Sequence, residues 1–311
     1  MPLAVGSFNP GASAFPVVCY GSFNTVTIAE AIQKAAGRLS AHKVPNARLD
    51  AEVLLCHAVG RDRAWLLVHM QDTLDDQGLR IFEQSIDRRS VREPLQYITG
   101  AQEFWGLPFK VTPAVLIPRP ETEFVVEAAL KAVSGIPAPV IIDLGTGSGC
   151  IAVSLASGLQ QAQVFAVDRS EKALEIARQN AQRNGVADRV RFLEGDLFGP
   201  FEELDLRGRV DVIATNPPYV KTGDLTGLQP EVRDFEPEMA LIAGPEGTES
   251  AEKIILQAPE YLKERCPLIM EMGVGQAEAL KKIIQGTGRY GSIEVLKDLA
   301  GIERVIIAER K

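Results

Sequence analysis

The stretch Asp211-Val-Ile-Ala-Thr-Asn216-Pro217-Pro218-Tyr219 joins a short apolar run to a turn that contains two prolines. The apolar run predicts a buried parallel strand, and each proline holds the residue before it in an extended conformation. In open α/β sheets, ligands bind at the carboxyl ends of the strands, where this turn would lie. The Asn216 side-chain oxygen and the Pro217 carbonyl can together accept both N–H bonds of a planar amino group, with the Tyr219 ring over its face. Such binding would aim the nitrogen lone pair at an electrophile, although Asn-Pro also occurs in turns that only end a strand.

The composition is that of a globular protein with free thiols. The chain has 311 residues, of which 46% are hydrophobic and 24% are charged, and this length suggests about two domains. No apolar run approaches the ~20 residues that a membrane helix needs, so we expect no membrane contact. The four cysteines are scattered without C-x-x-C spacing, which favours a reducing compartment, the cytoplasm, over disulfides or a zinc site.

The histidines and the charges argue against several classes of function. All three histidines, His42, His57 and His69, precede residue 70, so the rest of the chain lacks a histidine base. This argues against Ser-His-Asp and Cys-His hydrolases and against most zinc chemistry, and we expect no metal. Residues 23–100 carry ten basic and ten acidic side chains, whereas residues 101–311 carry 23 basic and 31 acidic ones. An acidic main domain binds nucleic-acid phosphates poorly, so we expect no direct nucleic-acid partner.

The pattern of apolar and turn residues divides the chain into four segments. Residues 1–22 contain no charged side chain, and we interpret them as a disordered extension. Apolar residues at helical spacing predict a small all-helical domain over residues 23–92. Alternating apolar and polar residues with glycines between them predict a β-hairpin linker over 93–112, with a strand at 95–100. Residues 113–311 form the remaining domain, which the pattern predicts to be α/β.

The α/β domain begins with a glycine-rich turn. Val140-Ile-Ile-Asp143 predicts a buried strand, and Leu144-Gly-Thr-Gly-Ser-Gly149 then leads into a helix. Glycines there let a ligand approach the backbone closely, next to free N–H groups at the helix start. Asp168 follows the second strand, 23 residues after Gly145, close to the spacing of an acid that binds a ribose diol. The alternative role for Asp168 is to cap the helix that follows it.

Further apolar runs complete a predicted sheet of about seven strands. They lie at 189–193, 210–215, 267–272, 291–296 and 303–308, with helices between them. The connection between the last two is short, so we expect one of them to run antiparallel. Asp196 and Leu197 follow the strand at 189–193, and an acid followed by an apolar residue suits the edge and face of an adenine ring.

These features together resemble the class I S-adenosylmethionine-dependent methyltransferases, which have a Rossmann-like α/β fold. The Asn-Pro-Pro-Tyr turn is similar to that of the enzymes that methylate planar nitrogens. Over residues 24–311 the chain resembles the HemK/PrmC family, the peptide chain release factor glutamine N5-methyltransferases. The motifs that carry this resemblance are Pro94-Leu-Gln-Tyr-Ile-Thr-Gly100, Phe104-Trp-Gly106, Val115-Leu-Ile-Pro-Arg-Pro-Glu-Thr-Glu123, Asp143-Leu-Gly-Thr-Gly-Ser-Gly-Cys-Ile151 and Glu236-Pro-Glu-Met-Ala-Leu241. The loop Ala243-Gly-Pro-Glu-Gly-Thr248 departs from the family pattern, which leaves its local shape open.

The resemblance implies a cofactor, S-adenosyl-L-methionine, and the residues that hold it. Those cofactor-binding residues are Gly145, Thr146, Gly147, Ser148, Gly149, Asp168, Asp196, Leu197, Asn216 and Phe104. Phe104 would close over the cofactor from the hairpin. Asn216, Pro217, Pro218 and Tyr219 would bind the substrate glutamine, with Asn216, Pro217 and Tyr219 as the catalytic residues. The methyl group would pass in line to the amide nitrogen of that glutamine.

The implied substrate is the glutamine of the Gly-Gly-Gln motif in bacterial class 1 release factors. A glutamine side chain is small, so we expect the helical domain to recognise the rest of the release factor. Arg88, Arg89 and Arg92 are the candidate contacts, and we expect the enzyme to be a monomer. Two alternatives stay open: a methyltransferase of nucleic-acid amino groups (adenine N6 or guanine N2), and a non-catalytic adenosylmethionine-binding adaptor.

Overall fold

The computed structural model describes residues 26–311, and the extension predicted at 1–22 lies outside this range. The described chain starts with helices whose first turns are capped by side chains. Thr27 and Glu30 form a capping box, and Asp62 and Asp75 each accept a backbone N–H of the helix that follows. The five helices of this region are α1 (Ile28–Ala41), α2 (Ala47–Val59), α3 (Arg63–Val68), α4 (Asp76–Ser90) and α5 (Leu95–Thr99).

Helix α5 corrects the predicted extent of the hairpin. The strand predicted at 95–100 is wrong, because Leu95–Thr99 form a helix that begins after Pro94 and ends at Gly100, where φ is +72°. Ile98 is buried in the apolar core of the helical region. Five residues are too few for alternation to distinguish a strand from a short helix, and burial against α2 and α4 favours the helix.

The hairpin begins at Ala101, directly after the Gly100 cap of α5, and is anchored to the α/β domain. Its strands are β1 (Ala101–Phe104) and β2 (Leu107–Lys110), paired antiparallel. Trp105 and Gly106 make the turn with φ of +55° and +68°, the conformation that suits a two-residue hairpin loop. Lys110 exchanges hydrogen bonds of 2.7 and 3.0 Å with the Asn180 side chain, which fixes the hairpin to the α/β domain.

The α/β domain is built on a seven-stranded sheet. Its strands are β3 (Val140–Leu144), β4 (Gln163–Asp168), β5 (Val190–Glu194), β6 (Val212–Thr215), β9 (Pro267–Glu271), β10 (Tyr290–Lys297) and β11 (Glu303–Arg310). The order across the sheet is β10-β11-β9-β6-β3-β4-β5. Strand β11 runs antiparallel to both of its neighbours, and the other pairs are parallel. The predicted strand number and the antiparallel strand near the carboxyl terminus are confirmed.

Helices cover both faces of this sheet, so its central strands are buried on both sides. The covering helices are α6 (Glu123–Ala132), α7 (Cys150–Gly158), α8 (Glu171–Arg183), α10 (Glu249–Gln257) and α11 (Ala277–Thr287), and the short α9 (Pro230–Arg233) lies outside with no buried residue. One apolar cluster includes α6 and α7, and a second includes α10 and α11. A pair of short parallel strands, β7 (Val220–Lys221) and β8 (Ile242–Gly244), lies outside the main sheet. Within residues 26–311, no helix is long and apolar enough to cross a membrane.

Candidate active site

The carboxyl ends of four neighbouring strands open into one cavity. Strands β3 and β6 are adjacent in the sheet, yet the chain leaves β3 toward β4 and β5 before it returns to β6. Such a reversal of strand order is where ligands of open α/β sheets bind. The strand-end residues that line the cavity include Gly145, Gly147, Asp168, Asp196, Leu197 and Asn216, which belong to the site predicted from the sequence. Leu144, Val167, Gly195 and Thr215 line it as well and were not predicted.

Gly145 and Gly147 expose the main chain of the first turn to the cavity. Their φ angles are +68° and +54°, which glycine adopts without strain. A side-chain carbon added at either position would meet no other atom within 4 Å. A ligand can therefore lie directly against the backbone of this turn.

The other three residues of the glycine-rich turn lie beneath its surface. The Thr146 hydroxyl donates to Asp143 Oδ2 at 2.6 Å, and the Ser148 carbonyl accepts a bond of 2.9 Å from α8. Gly149 caps α7, and a Cβ there would lie 3.1 Å from Ala177, so glycine allows α7 and α8 to pack closely. These residues shape the turn and do not line the cavity, which differs from the expectation that all five contact the cofactor.

A fully buried carboxyl group, Asp143, supports this turn from below. Its Oδ2 accepts from the Thr146 hydroxyl and from the Ala152 N–H, at 2.6 and 3.1 Å. Among the described residues, Oδ1 has no hydrogen-bond partner. Burial raises the pKa of Asp143 to about 7, against the two hydrogen bonds, which lower it. This carboxyl therefore changes its protonation near neutral pH.

Asp168 joins the end of β4 to the glycine-rich turn. Its Oδ2 accepts from the Gly147 N–H at 2.8 Å, and its Oδ1 accepts from the Ser170 N–H at 2.9 Å. The cap of α8 is Ser170, whose hydroxyl accepts from the Ala173 N–H, so Asp168 is not that cap. Burial raises the pKa of Asp168, and the bonds from Ser170 and Gly147 oppose the rise. Each carboxylate oxygen keeps a lone pair for a further donor, which suits the two hydroxyls of a ribose.

Asp196 and Leu197 place an acid and an apolar side chain after β5. Leu197 has a φ of +47°, which is uncommon for a residue other than glycine. The Asp196 carboxylate lies 3.8 Å from the Arg169 guanidinium, and both side chains are largely exposed. These neighbours offer polar and apolar contacts to a flat ring at the rim of the cavity.

The Asn216 amide is held by a chain of two hydrogen bonds. Its Nδ2 donates to the Thr122 hydroxyl at 3.0 Å, and that hydroxyl donates to Glu271 Oε2 at 2.6 Å. Thr122 and Glu271 are 1% and 3% exposed, whereas Asn216 lines the cavity. Because the amide nitrogen is bound on the protein side, Oδ1 is left to accept a hydrogen bond from a ligand.

Pro217 and Pro218 line the cavity beside Asn216, but Tyr219 does not. The Tyr219 carbonyl accepts from Gln276 Nε2 at 3.0 Å. Burial raises the pKa of the Tyr219 hydroxyl far above its usual range, and the nearby negative charge of Glu271 adds to the rise. Its position departs from the expectation that the ring covers the face of the substrate amide.

Phe104 also lies away from the cavity. It is 2% exposed and packs in the apolar core of the α/β domain, with its ring edge-on to Phe109 at a centroid distance of 6.0 Å. The hairpin turn places this aromatic side chain inward, because strand β1 alternates and Phe104 falls on its buried face. The structure thus places Phe104 in the core and not in the cavity lining, and its contact with the cofactor stays a prediction.

Sequence reasoning missed several parts of the cavity wall. Residues 114–116 form one side, and the exposed Lys253 of α10 contributes a cation. Another side is formed by Pro237, Met239, Ala240, Ile242 and Ala243. The motifs at Val115–Glu123 and Glu236–Leu241 contain most of these positions and both come from long loops. Their spacing carries no strand or helix signal, so only the resemblance could have drawn attention to them.

The helical domain holds both loops that form the cavity mouth. The Tyr97 hydroxyl donates to the Val115 carbonyl at 2.6 Å, which fixes the loop at 114–116. Glu231, in the loop after Asn-Pro-Pro-Tyr, accepts from Arg89 at 3.0 Å and from Arg92 at 2.7 and 2.5 Å. Although burial raises the pKa of Glu231, the hydrogen bonds from Arg92 and Arg89 bring it below its usual value.

This ion-pair cluster corrects the role predicted for two of the three arginines, Arg89 and Arg92. Arg89 is 6% exposed at its side chain and also donates to Asp50 at 2.8 Å, and Arg88 pairs with Glu93 at 2.5 Å. These guanidinium groups already have acidic partners within the chain. Arg89 and Arg92 therefore join the two domains and are not free to contact a release factor.

The donor set of the cavity fits adenosylmethionine. The exposed glycine backbone, the Asp168 carboxylate and the acid with its apolar neighbour at 196–197 match the methionine, ribose and adenine parts of that molecule. Among residues 26–311, no group of three or more His, Cys, Asp or Glu side chains is arranged to hold a metal ion.

Comparisons with known proteins agree with this reading of the site. The family model of the PrmC N-terminal domain matches residues 30–100, and a methyltransferase domain model matches residues 137–299. The release factor glutamine methyltransferase of Geobacter sulfurreducens is 44% identical over 280 residues, which cover 90% of this chain and 95% of the relative. The enzyme of the same name from Moorella thermoacetica is 43% identical, over 92% of this chain and 99% of its own length.

Solved structures confirm the class I methyltransferase fold. The hMettl16 catalytic domain, in complex with an RNA hairpin, superposes with a TM-score of 0.55 at 18% identity. The match covers 72% of this chain and 82% of that one. At this identity the likeness concerns the fold alone.

Proposed function

The chain belongs to the release factor glutamine methyltransferase family, and on this premise we propose how its site performs the transfer. The reaction moves the methyl group of S-adenosylmethionine to the side-chain amide nitrogen of a glutamine in a release factor. The substrate we assign is the glutamine of the Gly-Gly-Gln motif in bacterial class 1 release factors. The observation that supports an amide nitrogen as the acceptor is the Asn216 side chain, whose nitrogen is bound within the protein and whose oxygen is left for the substrate.

The cofactor supplies a methyl group on a positively charged sulfur, and the protein supplies position. Gly145 and Gly147 would hold the cofactor against the backbone, and Asp168 would accept hydrogen bonds from its ribose hydroxyls. Asn216 Oδ1 and the Pro217 carbonyl accept the two N–H bonds of the glutamine amide, which turns its nitrogen lone pair toward the methyl group. Alignment of this kind contributes up to about 7–11 kcal/mol to lowering a barrier. After transfer, the nitrogen loses a proton to Asn216 Oδ1 or to water.

We assign recognition of the release factor to the helical domain, over and above the reading of the glutamine itself. Asn216 and the two prolines contact only one amide, so choosing one glutamine among many requires a larger surface. With Arg89 and Arg92 bound to Glu231, that surface must be a different part of the helical domain or the loop that Glu231 anchors. We further propose that the enzyme works as a monomer in the cytoplasm.

Asn216→Ala tests the assignment of the acceptor site. We expect kcat toward a release factor to fall by about 10²–10³, because one preorganised polar contact to the reacting group is lost. Cofactor affinity, measured by calorimetry, should stay within a few-fold of the wild-type value. Asn184→Ala is the matched control, since Asn184 donates only to Pro108 and Asn180 carbonyls, outside the cavity. Wild-type turnover by Asn216→Ala would refute the proposed role.

A further inference from the structure

We propose that Glu271 and Thr122 set the orientation of the Asn216 amide, so that its oxygen and not its nitrogen faces the acceptor. The inference rests on the proposed function, since it explains how the clamp, formed by Asn216 Oδ1 and the Pro217 carbonyl, is held in position for the amide of a glutamine. The two groups act through Asn216 and are positioning residues. They come from separate parts of the chain, Thr122 from the turn before α6 and Glu271 from the end of β9.

The side-chain amide of asparagine has an oxygen on one side and an NH2 group of similar size on the other, so its orientation is ambiguous unless a neighbour selects one. In its ionised form the Glu271 carboxylate only accepts hydrogen bonds, so it takes the proton of the Thr122 hydroxyl, over 2.6 Å. The Thr122 oxygen is then left as an acceptor, and it takes a hydrogen from Asn216 Nδ2 at 3.0 Å. The rotation of the amide about its bond to Cβ is thereby decided, with Oδ1 on the cavity side.

The reverse orientation would present the wrong chemistry to the substrate. With Nδ2 in the cavity, an N–H group would meet the N–H groups of the glutamine amide, and both would be donors. The clamp would then have one acceptor, the Pro217 carbonyl, where it needs two. The buried Glu271 carboxylate prevents this reverse orientation of the Asn216 amide. Burying a charged group costs free energy, and the selection of the amide orientation is the function that this burial serves.

The alternative is that Thr122 and Glu271 only fasten the start of α6 to the sheet. Thr122→Val separates the two roles, because valine keeps the shape but neither donates nor accepts. We expect kcat to fall about tenfold or more, the equivalent of one lost hydrogen bond, with the KM for the release factor changed much less. Thr122→Ser restores the hydroxyl and should recover most of that loss. Glu271→Gln should also lower kcat, because its amide can donate to Thr122 and release the hydroxyl proton toward Asn216.

Thr287→Val is the matched control for the loss of a threonine hydroxyl. Thr287 also both donates, to the Ile284 carbonyl at 2.7 Å, and accepts, from the Arg289 N–H at 3.2 Å, but it lies at the end of α11. We expect its kcat to match that of the wild type. Equal kcat in Thr122→Val and Thr287→Val, with both folded, would overturn the proposal.

A second readout tests the orientation without any turnover. In 15N-labelled enzyme, the side-chain amide signal of Asn216 can be assigned by its loss in Asn216→Ala. The signal should show slow hydrogen exchange in wild type and in Thr122→Ser, and fast exchange in Thr122→Val. Unprotected amide hydrogens in the wild type would refute the inference even if methylation occurs. A wild type with protected hydrogens but no glutamine methylation would instead refute the proposed function.

Discussion

At the scale of single residues, Glu271 is an acid whose burial opposes its ionisation. Burial raises its pKa to about 7, and hydrogen bonds from Thr122 and Tyr219 lower it only in part. Because the pKa is above the ordinary 4.5, the folded chain binds this proton more tightly than the unfolded chain does. Stability is therefore lost as pH rises from about 4.5 to about 7, by about 3 kcal/mol for this group. The groups that face Glu271 are Thr122, Tyr219, Glu121, Arg304 and Cys150.

Glu271→Gln should consequently be more stable than the wild type in alkaline solution. Glutamine does not ionise, so the gain in melting temperature over the wild type should be several degrees at pH 8 and small at pH 5. Asp143 titrates over the same range, but it is present in both proteins and cancels in the difference. Thermal unfolding at the two pH values measures the effect. A gain that does not grow with pH would show that Glu271 stays protonated in the folded enzyme.

The residues of the site were predictable to the extent that they stand at strand ends. Asn216, Asp168 and Asp196 follow apolar runs, and the rule that ligands bind at the carboxyl edge placed them together. Thr122 was not predictable as a partner of Asn216, because the contact joins positions 94 residues apart through a loop. Tyr219 follows Asn216 closely, yet the sequence does not show to which side its ring turns.

At the scale of elements, the strands of the sheet were predicted well and the region around the hairpin was not. Apolar runs such as Val140–Leu144 and Val212–Thr215 are buried on both faces, and such runs identify central parallel strands. Leu95–Thr99 is short and lies between Pro94 and Gly100. Proline and glycine predict where an element begins and ends, but not whether it is a strand or a helix. Its tertiary packing against α2 and α4, which no local pattern contains, decides its form.

The ion pairs of Glu231 should hold the segment after Asn-Pro-Pro-Tyr, residues 222–241, against the helical domain. Glu231→Gln leaves Arg89 and Arg92 without the charge that binds them, and breaking such a partly buried cluster typically destabilises by about 3 kcal/mol. We expect faster backbone hydrogen exchange over residues 222–241 and in α4, and a lower kcat/KM toward the release factor. Hydrogen exchange with mass spectrometry follows both segments in one experiment.

Glu238→Gln is the control for this change. Glu238 lies in the same loop and is exposed to solvent. Its exchange rates and activity should remain those of the wild type. If the two variants behave alike, the loop is held by its own contacts and not by the helical domain.

At the scale of the whole molecule, the charge says more about the partner than the fold does. A fold shared by enzymes of different function does not by itself decide which kind of substrate is methylated. The net charge of −8 resides entirely in residues 101–311, the part that contains the cavity. A surface of this sign repels phosphates and offers few cations for counterion release.

We therefore expect no measurable binding to transfer RNA or duplex DNA, even at about 50 mM salt, where phosphate contacts are strongest. Fluorescence anisotropy with labelled nucleic acids measures this. Methyl transfer from labelled cofactor to release factor, transfer RNA, ribosomal RNA and DNA should give signal with the release factor alone. Affinity for RNA that falls steeply with added salt would contradict the charge argument and revive the nucleic-acid alternative.

The ion pairs of Glu231 also determine which parts of this enzyme can be exchanged between relatives. The loop that follows the catalytic turn is covalently part of one domain, but its buried charge is matched by arginines of the other. In a chimera that receives only the helical domain of a relative, Glu231 would face the side chains that the relative has at positions 89 and 92. The part that must be exchanged is therefore not one continuous segment. An active chimera has to receive residues 26–100 and residues 222–241 from the same relative.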